Sequence, residues 1–305
     1  MRIATSQFQA TMNRGLQDNQ SHLAQITAQM ASGNKLQLPS DDPVTNVRLS
    51  RLAREEAIVG QYRANIAAVK IRLSTNETYL QSMTNDITQS HDLLVWASDG
   101  SNTAADLKSM VKPLTALRDS LFYSANEKDQ EGRYIFSGTL TDTPSITYNP
   151  DPAVPPGSRY TFTGNQNQQK TVVGNGITQV SNVDVAGLET LLNQMDVAIS
   201  ELSSPTLTVG SPSLSAALAA NMDGATAALD LVAGKIANFG GAQNVMETLD
   251  GNHANVSLSN KTAILDLGQL DYGEAATELN GYNLALQSSY KAYAKISNLS
   301  LFNIL

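Results

Sequence analysis

The segment Tyr272-Gly-Glu-Ala-Ala-Thr-Glu-Leu-Asn-Gly-Tyr-Asn-Leu-Ala-Leu-Gln-Ser-Ser-Tyr-Lys-Ala-Tyr-Ala-Lys-Ile296 decides how this chain is read. Leu265, Tyr272, Leu279, Leu286 and Tyr293 recur every seven positions, and Ala275, Tyr282, Ser289 and Ile296 form a second row between them. Apolar positions spaced alternately by three and four are the seam of a coiled coil. The opposite end repeats the pattern: Leu16, Leu23 and Met30 lie seven apart, with Met12 and Ile26 between them. Chain ends are usually the frayed, polar part of a domain. Here both ends carry wide apolar helical faces, which ask for more partners than one molecule offers. The chain therefore reads as part of an assembly. Its candidate assembly interface is Leu16, Leu23, Ile26, Met30, Leu279, Tyr282, Leu286, Tyr293 and Ile296.

Composition supports long helices. The 305 residues are 41% hydrophobic but only 6% aromatic and 16% charged, a balance that suits helices packed through small side chains. A net charge of −8 opposes a general role on nucleic acid or anionic lipid. With no cysteine there is no disulfide and no thiolate chemistry. No stretch approaches the ~18 uninterrupted apolar residues of a membrane span. Met1-Arg-Ile-Ala-Thr-Ser-Gln7 lacks the apolar run of a Sec-type signal, so a route out of the cell would be a different one.

Punctuation along the chain divides it. A helix over 5–32 is closed by Gly33-Asn34, and Asp42 and Pro43 are suited to cap and open the next helix. That helix keeps one seam from Val59 to Leu94, interrupted by Asn76 and Ser90, and ends at a turn over 98–102. Thr103 with Asp106 resembles a capping box, and Pro113 should kink or restart the helix that follows. Arg133–Gly138 is strand-like. Short β-type runs then occur at 145–148, 159–163, 170–173 and 177–180, with Gly174-Asn-Gly176 as a hairpin signal. A short helix at 187–202, a long one at 213–267 weakened at Gly240-Gly241 and Gly251, and a last one at 274–298 complete the chain.

The expected fold class is mainly α with a β insert: a long coiled-coil-like helical bundle built from both chain ends, plus a central, outer β-rich domain. Residues 1–42 and 268–305 would be the terminal helices, 43–138 and 213–267 a helical trunk, and 139–212 the insert. The terminal helices should be mobile in a lone chain, with Leu286 exposed until assembly buries it. The insert should be dispensable for assembly.

Sites of catalysis or metal binding are not suggested. His22, His91 and His253 have no His or Cys at ligand spacing, and each reads as a solvated or partly packed side chain. Asp41-Asp42 reads as a turn and a helix cap before Pro43 rather than a paired carboxylate site. Gly174-Asn-Gly176 lacks the third glycine of a dinucleotide loop, and neither a Walker motif nor a Gly-x-Ser-x-Gly elbow is present. Trp96, the sole tryptophan, is assigned by default to the core.

Two tracts carry a resemblance at the N-terminal side. Met30-Ala-Ser-Gly-Asn-Lys-Leu-Gln-Leu-Pro-Ser-Asp-Asp-Pro43 is similar to the Ser-Gly-Lys-Arg-Val…Pro-Ser-Asp-Asp-Pro signature of the flagellin superfamily, departing from it at Asn34. Gly132-Arg-Tyr-Ile-Phe-Ser-Gly138 resembles the tract closing the N-terminal helical part of that superfamily. Toward the other end, Asp271-Tyr-Gly-Glu-Ala-Ala-Thr-Glu-Leu279 is similar to its Asp-Tyr-x-Glu-Ala segment. The opening Met1-Arg-Ile-Ala-Thr-Ser-Gln7 and the closing Lys295-Ile-Ser-Asn-Leu-Ser-Leu-Phe302 resemble the hook–filament junction branch rather than the filament-forming branch. The matches cover about 1–140 and 213–305.

This resemblance implies a structural adaptor without enzymatic activity or cofactor. It would be exported by the flagellar type III apparatus and assembled as a homo-oligomeric ring or helical layer. Its partners would be hook-associated protein 1, flagellin and a flagellar export chaperone, with no nucleic acid and no membrane insertion. The terminal helices would line the inner tube and the β insert would face outward. The alternatives are a filament-forming flagellin and a secreted adhesin with a glycan-binding head. A hydrolase hidden in the insert comes last, because only Asp142, Asp151 and Asp184 offer carboxylates near the β runs.

Overall fold

A computed structural model describes residues 2–302, with side chains described for 6–295. Its elements are α1 (Arg2–Ser32), α2 (Pro43–Ala97), α3 (Ala104–Ser109), α4 (Val111–Ala125), β1 (Ile146–Tyr148), β2 (Tyr160–Phe162), β3 (Lys170–Gly174), β4 (Ile177–Val180), α5 (Leu188–Leu202), α6 (Pro212–Gly268) and α7 (Tyr272–Phe302). They form two compact units. One comprises the chain up to Gly60 and from Asn255 onward, and the other is Gln61–Ala254. Helices α2 and α6 contribute a segment to each unit.

The helix limits follow local chemistry. α1 stops where Gly33 takes φ +73, a left-handed conformation that a side chain disfavours, and its N–H bonds the Gln29 carbonyl at 2.8 Å. Asp42 caps α2: its carboxylate accepts from the N–H groups of Val44 and Thr45, each at 3.1 Å, and from the Thr45 hydroxyl at 2.6 Å. These bonds, led by the Thr45 hydroxyl, hold its pKa below the ordinary carboxylate value. Asp41 serves the preceding turn, accepting from the N–H groups of Gln37 at 2.9 Å and Leu38 at 2.8 Å. Thr103 and Asp106 form the capping box of α3. Pro113 sits in the first turn of α4, just after the break at Met110, where its missing N–H costs no helical bond.

In Gln61–Ala254, α2 and α6 run antiparallel. Arg63 Nε bonds the Asp250 carboxylate at 2.8 Å, and farther along Gln243 bonds Glu77 at 2.9 Å. The seam between them buries Ile66, Leu73, Leu80, Met83 and Ile87 from α2, with Ala225, Val232 and Met246 from α6. Gly240, Gly241 and Gly251 lie inside α6 without interrupting it. Each should weaken the helix by about 1 kcal/mol relative to alanine, but buried neighbours such as Phe239 and Met246 anchor the segment.

The β-type runs form two separate antiparallel pairs. Ile146 faces Phe162 and Tyr148 faces Tyr160 in β1–β2; Lys170 faces Val180 in β3–β4. In the second turn only Gly176 has positive φ (+71), while Asn175 does not, and a register shift falls between Val172 and Gly174. The hairpin signal is therefore met without the two left-handed residues of a type I′ turn. Arg133–Gly138 is not a strand. It makes isolated bridges, Lys128 to Tyr134 and Ser137 to Asp184, while Phe136 enters the core.

Two asparagines fasten the first pair of strands to the helices. The Asn193 amide on α5 accepts from the Tyr160 N–H at 2.9 Å and donates to the Tyr160 carbonyl at 2.8 Å. Asn126, capping α4, treats Ile146 the same way at 3.1 and 2.8 Å. Each side chain mimics one rung of a β ladder. α5 then buries Leu188, Leu191, Leu192, Met195, Ala198 and Leu202 in the same cluster as α2, α4 and α6. Arg118 on α4 completes the join by bonding Asp196 at 2.9 Å, and Arg159 reaches the same carboxylate at 3.5 Å.

Trp96 departs from its expected place. It is 48% exposed at the end of α2, where its carbonyl accepts from the Asn102 amide at 2.6 Å. Leu94 and Ala97 take the buried positions of that turn instead.

Candidate assembly interface

The paired terminal helices hold the proposed interface residues. α1 and α7 lie antiparallel: the Gln20 amide donates to the Tyr290 hydroxyl at 2.9 Å, and the Tyr272 hydroxyl donates to the Met30 carbonyl at 3.2 Å. Between these, the rings of His22 and Tyr282 are stacked, with centroids 5.2 Å apart. At one end of this pair the turn after α6 is tied to the turn after α1. The Lys35 N–H bonds the Gly268 carbonyl at 2.8 Å and the Leu270 N–H bonds the Gly33 carbonyl at 3.0 Å.

The candidate residues divide by exposure. Ile26 and Leu286 are buried, with Leu286 only 8% exposed. Leu16, Leu23, Met30, Leu279 and Tyr282 are half-buried, and Tyr293 stays exposed. Ile296 belongs to α7, but its side chain lies outside the described residues. The expectation that Leu286 is exposed in a lone chain is thus overturned. The α1–α7 pair satisfies part of the seam within one molecule, so Leu286 needs no second copy to leave water.

The seam nevertheless remains incomplete. Leu284, on another face of α7, is 66% exposed, and Phe8 and Tyr290 are exposed as well. The unit also exposes Val44, Val47 and Ile58 on α2, and Leu258 and Leu265, seven apart, on α6. None of these five belongs to the candidate interface read from the sequence, although Leu265 opens its C-terminal heptad row. The heptad spacing of Leu258 and Leu265 was the available signal, and the break after Gly268 separates that row from α7.

Polar chemistry in this unit is structural. Glu56 accepts from the Ser257 hydroxyl at 2.6 Å and lies 3.4 Å from the Lys261 ammonium, linking α2 to α6. Among the described residues no group of three His, Cys, Asp or Glu side chains is placed to hold a metal ion. No described helix is long and apolar enough to cross a membrane. In Gln61–Ala254, His253 is used in packing, with Nε2 2.9 Å from the Val173 carbonyl and its ring near Tyr62.

Comparison with known proteins accords with this architecture. Residues 3–141 match the family described as the bacterial flagellin N-terminal helical region. The chain is 28% identical over 316 residues to flagellar hook-associated protein 3 of Escherichia coli strain K12, covering 100% of this chain and 99% of that protein. It is 25% identical over 322 residues to the protein of the same name from Salmonella typhimurium, again covering 100% and 99%. A solved structure described as a flagellar hook-associated protein from Vibrio parahaemolyticus superposes with a TM-score of 0.67 at 31% identity, covering 75% of this chain and 100% of that one. FlgL of Xanthomonas campestris, at 15% identity, shares the fold with a TM-score of 0.62 over 70% of this chain and 99% of its own.

Proposed function

The chain belongs to the flagellar hook-associated protein 3 family of the flagellin superfamily, and we propose that it is the structural adaptor joining the flagellar hook to the filament. It binds hook-associated protein 1 on one side and flagellin on the other. Its copies associate as a ring or helical layer through the terminal helices. The observation that carries this reading is the α1–α7 pair, which buries Ile26 and Leu286 but leaves Phe8, Leu284 and Tyr290 facing outward. Burying a side chain of that size contributes ~1.5–3 kcal/mol, so a row of them favours association with further helices.

In this reading residues 1–42 and 268–305 line the inner tube, 43–138 and 213–267 form the surrounding shell, and 139–212 face outward. The candidate interface residues, Ile296 included, lie between copies or between this chain and its neighbours. The chain reaches the flagellum through the type III apparatus, escorted by an export chaperone. It works mechanically and turns over no substrate.

The test is genetic. Removing the chain from its own bacterium should leave hooks intact while flagellin is released into the medium, and restoring it should restore filaments. Normal filaments in its absence would refute the adaptor role.

A further inference from the structure

Within Gln61–Ala254, a cavity of about 500 Å3 lies outside everything described so far. That size is within the ~300–1,000 Å3 range of small-molecule sites. One face of α2 forms one side of it, with Ile71, Arg72, Thr75, Asn76 and Tyr79 at helical spacing. The segment after α4, including Lys128, Tyr134 and Thr141, and the side chains of Gln169 and Asn182 form the rest.

Three properties distinguish this cavity from a packing gap. Asn76 is only 2% exposed yet lines it, and among the described residues nothing hydrogen-bonds its amide. Its amide atoms are not enclosed: they open onto the cavity, with donor and acceptor both free for a molecule there, at a seam position that leucine would otherwise serve better. The second property is charge. Arg72 has one long contact, 3.4 Å to the Gln169 side-chain oxygen, and Lys128 lies 4.5 Å from the centroid of the Tyr134 ring. Neither is in an ion pair among the described residues, whereas Asp129 and Glu131 are both engaged by Arg133. Arg72, Lys128 and Arg133 against Asp129 and Glu131 leave the cavity lining with a net charge of +1, on a chain whose net charge is −8. The third property is the aromatic wall of Tyr79 and Tyr134, with Tyr79 held edge-on by Phe136 at 6.5 Å.

We propose that this cavity binds an acidic sugar, of hexuronate or sialic acid type. Its carboxylate would take the free guanidinium donors of Arg72 and the charge of Lys128. Adjacent hydroxyls, each donor and acceptor, satisfy the Asn76 amide, which needs both. The C–H face of the ring lies against tyrosine. An acidic peptide would meet the cations, and its backbone could meet the Asn76 amide, but it lacks the flat C–H face that lies against the tyrosines. A neutral sugar has that face and the hydroxyls but no charge for Arg72 and Lys128. Only the combined chemistry meets all three properties.

The test is an NMR titration of the full chain, labelled with 15N, using trigalacturonate and N-acetylneuraminate in parallel with neutral galactose oligomers and oligo-glutamate. The expected result is a saturable shift of the Asn76 side-chain signals and of the backbone amides of Arg72 and Tyr134 with at least one acidic sugar and none with the neutral one; the backbone amides report binding in the variants. Arg72→Gln should weaken that binding by about tenfold or more, the loss of one charge-assisted pair. Asn76→Leu should abolish it while the melting temperature holds or rises. The proposal is overturned if neither acidic sugar gives a saturable shift. It is also overturned if oligo-glutamate produces the same shift, which would make the cavity a dock for acidic protein segments, or if both variants bind as well as the parent chain.

Discussion

The imidazole of His22 on α1 stacks on the ring of Tyr282 on α7, with planes 13° from parallel. This contact fixes the register of the two terminal helices near the middle of their paired length, between the Gln20–Tyr290 and Met30–Tyr272 hydrogen bonds. A stacked aromatic pair adds about 0.5–1.5 kcal/mol beyond area burial. Tyr282→Ala should therefore speed amide exchange around Ile26 by about tenfold. His22→Ala should do so less, because His22 is the more exposed partner. Unchanged exchange in both variants would show that the stacking does not hold the pair.

Leu286 carries a second prediction. Because it is buried in the single chain, Leu286→Asp should act before assembly as well as during it. The substitution forfeits about 1.5–3 kcal/mol of apolar burial and places a carboxylate at a buried position. Exchange protection should fall in α1 and α7 while Leu192 and its neighbours in Gln61–Ala254 keep theirs. Gln287→Asp, exposed one position along, is the control and should leave α1 protected. Equal behaviour of the two variants would contradict the packing described here.

Asp196 is about 4% exposed and meets two arginines, Arg118 at 2.9 Å and Arg159 at 3.5 Å. Removing one partner of a buried pair typically costs about 3–5 kcal/mol, whereas an apolar replacement of both can be neutral. Asp196→Ala should lower the urea midpoint of Gln61–Ala254 strongly. Arg118→Met combined with Asp196→Leu should recover much of it. Additive loss in the double variant would argue against the ion pair as the source of the effect. Contrary to the expectation from sequence that the insert is dispensable, replacing 141–205 by a flexible linker should unfold this unit, since α5 supplies six of its buried side chains.

The neighbouring Tyr160 gives an alkaline signature. Burial raises its pKa from the ordinary 10.0 to about 12; Asp196, Asp119 and Tyr148 add to the rise and the Arg118 guanidinium opposes it. The folded state holds this proton more firmly than the unfolded state. Its contribution is thus fully present below pH 10.0 and is lost as pH rises toward about 12. Phenolate absorbance of the folded chain should show a late phase that Tyr160→Phe removes. A titration complete near the ordinary value would show that the ring is not held as described.

Several of these features could be read directly from sequence because their causes are local. Gly33, Asp42 with Pro43, Thr103 with Asp106, and Pro113 each mark a helix limit through backbone chemistry within four residues. The four β runs were visible for the same reason. The missed features depend on distant partners. Asn193 and Asn126 fasten strands 33 and 20 residues away, and nothing in their immediate sequence announces it. Arg133–Gly138 has strand-like composition, but its single bridges and the burial of Phe136 serve the helical core. Trp96 yields the buried positions to Leu94 and Ala97, because the seam follows helical spacing rather than side-chain size. At the interface, periodicity located the apolar rows but not their division. It could not show that α1 and α7 shelter Ile26 and Leu286 while leaving Leu284 and Tyr290 exposed.

The adaptor role is tested most directly by locating the chain on the organelle. Purified flagella labelled with an antibody to residues 139–212, a region chosen for its proposed outward position, should be imaged by electron microscopy. The account predicts label confined to the boundary between hook and filament, with Leu286→Asp reducing it and Gln287→Asp preserving it. Label running along the whole filament would identify a filament subunit instead, and label absent from the boundary would contradict the adaptor role.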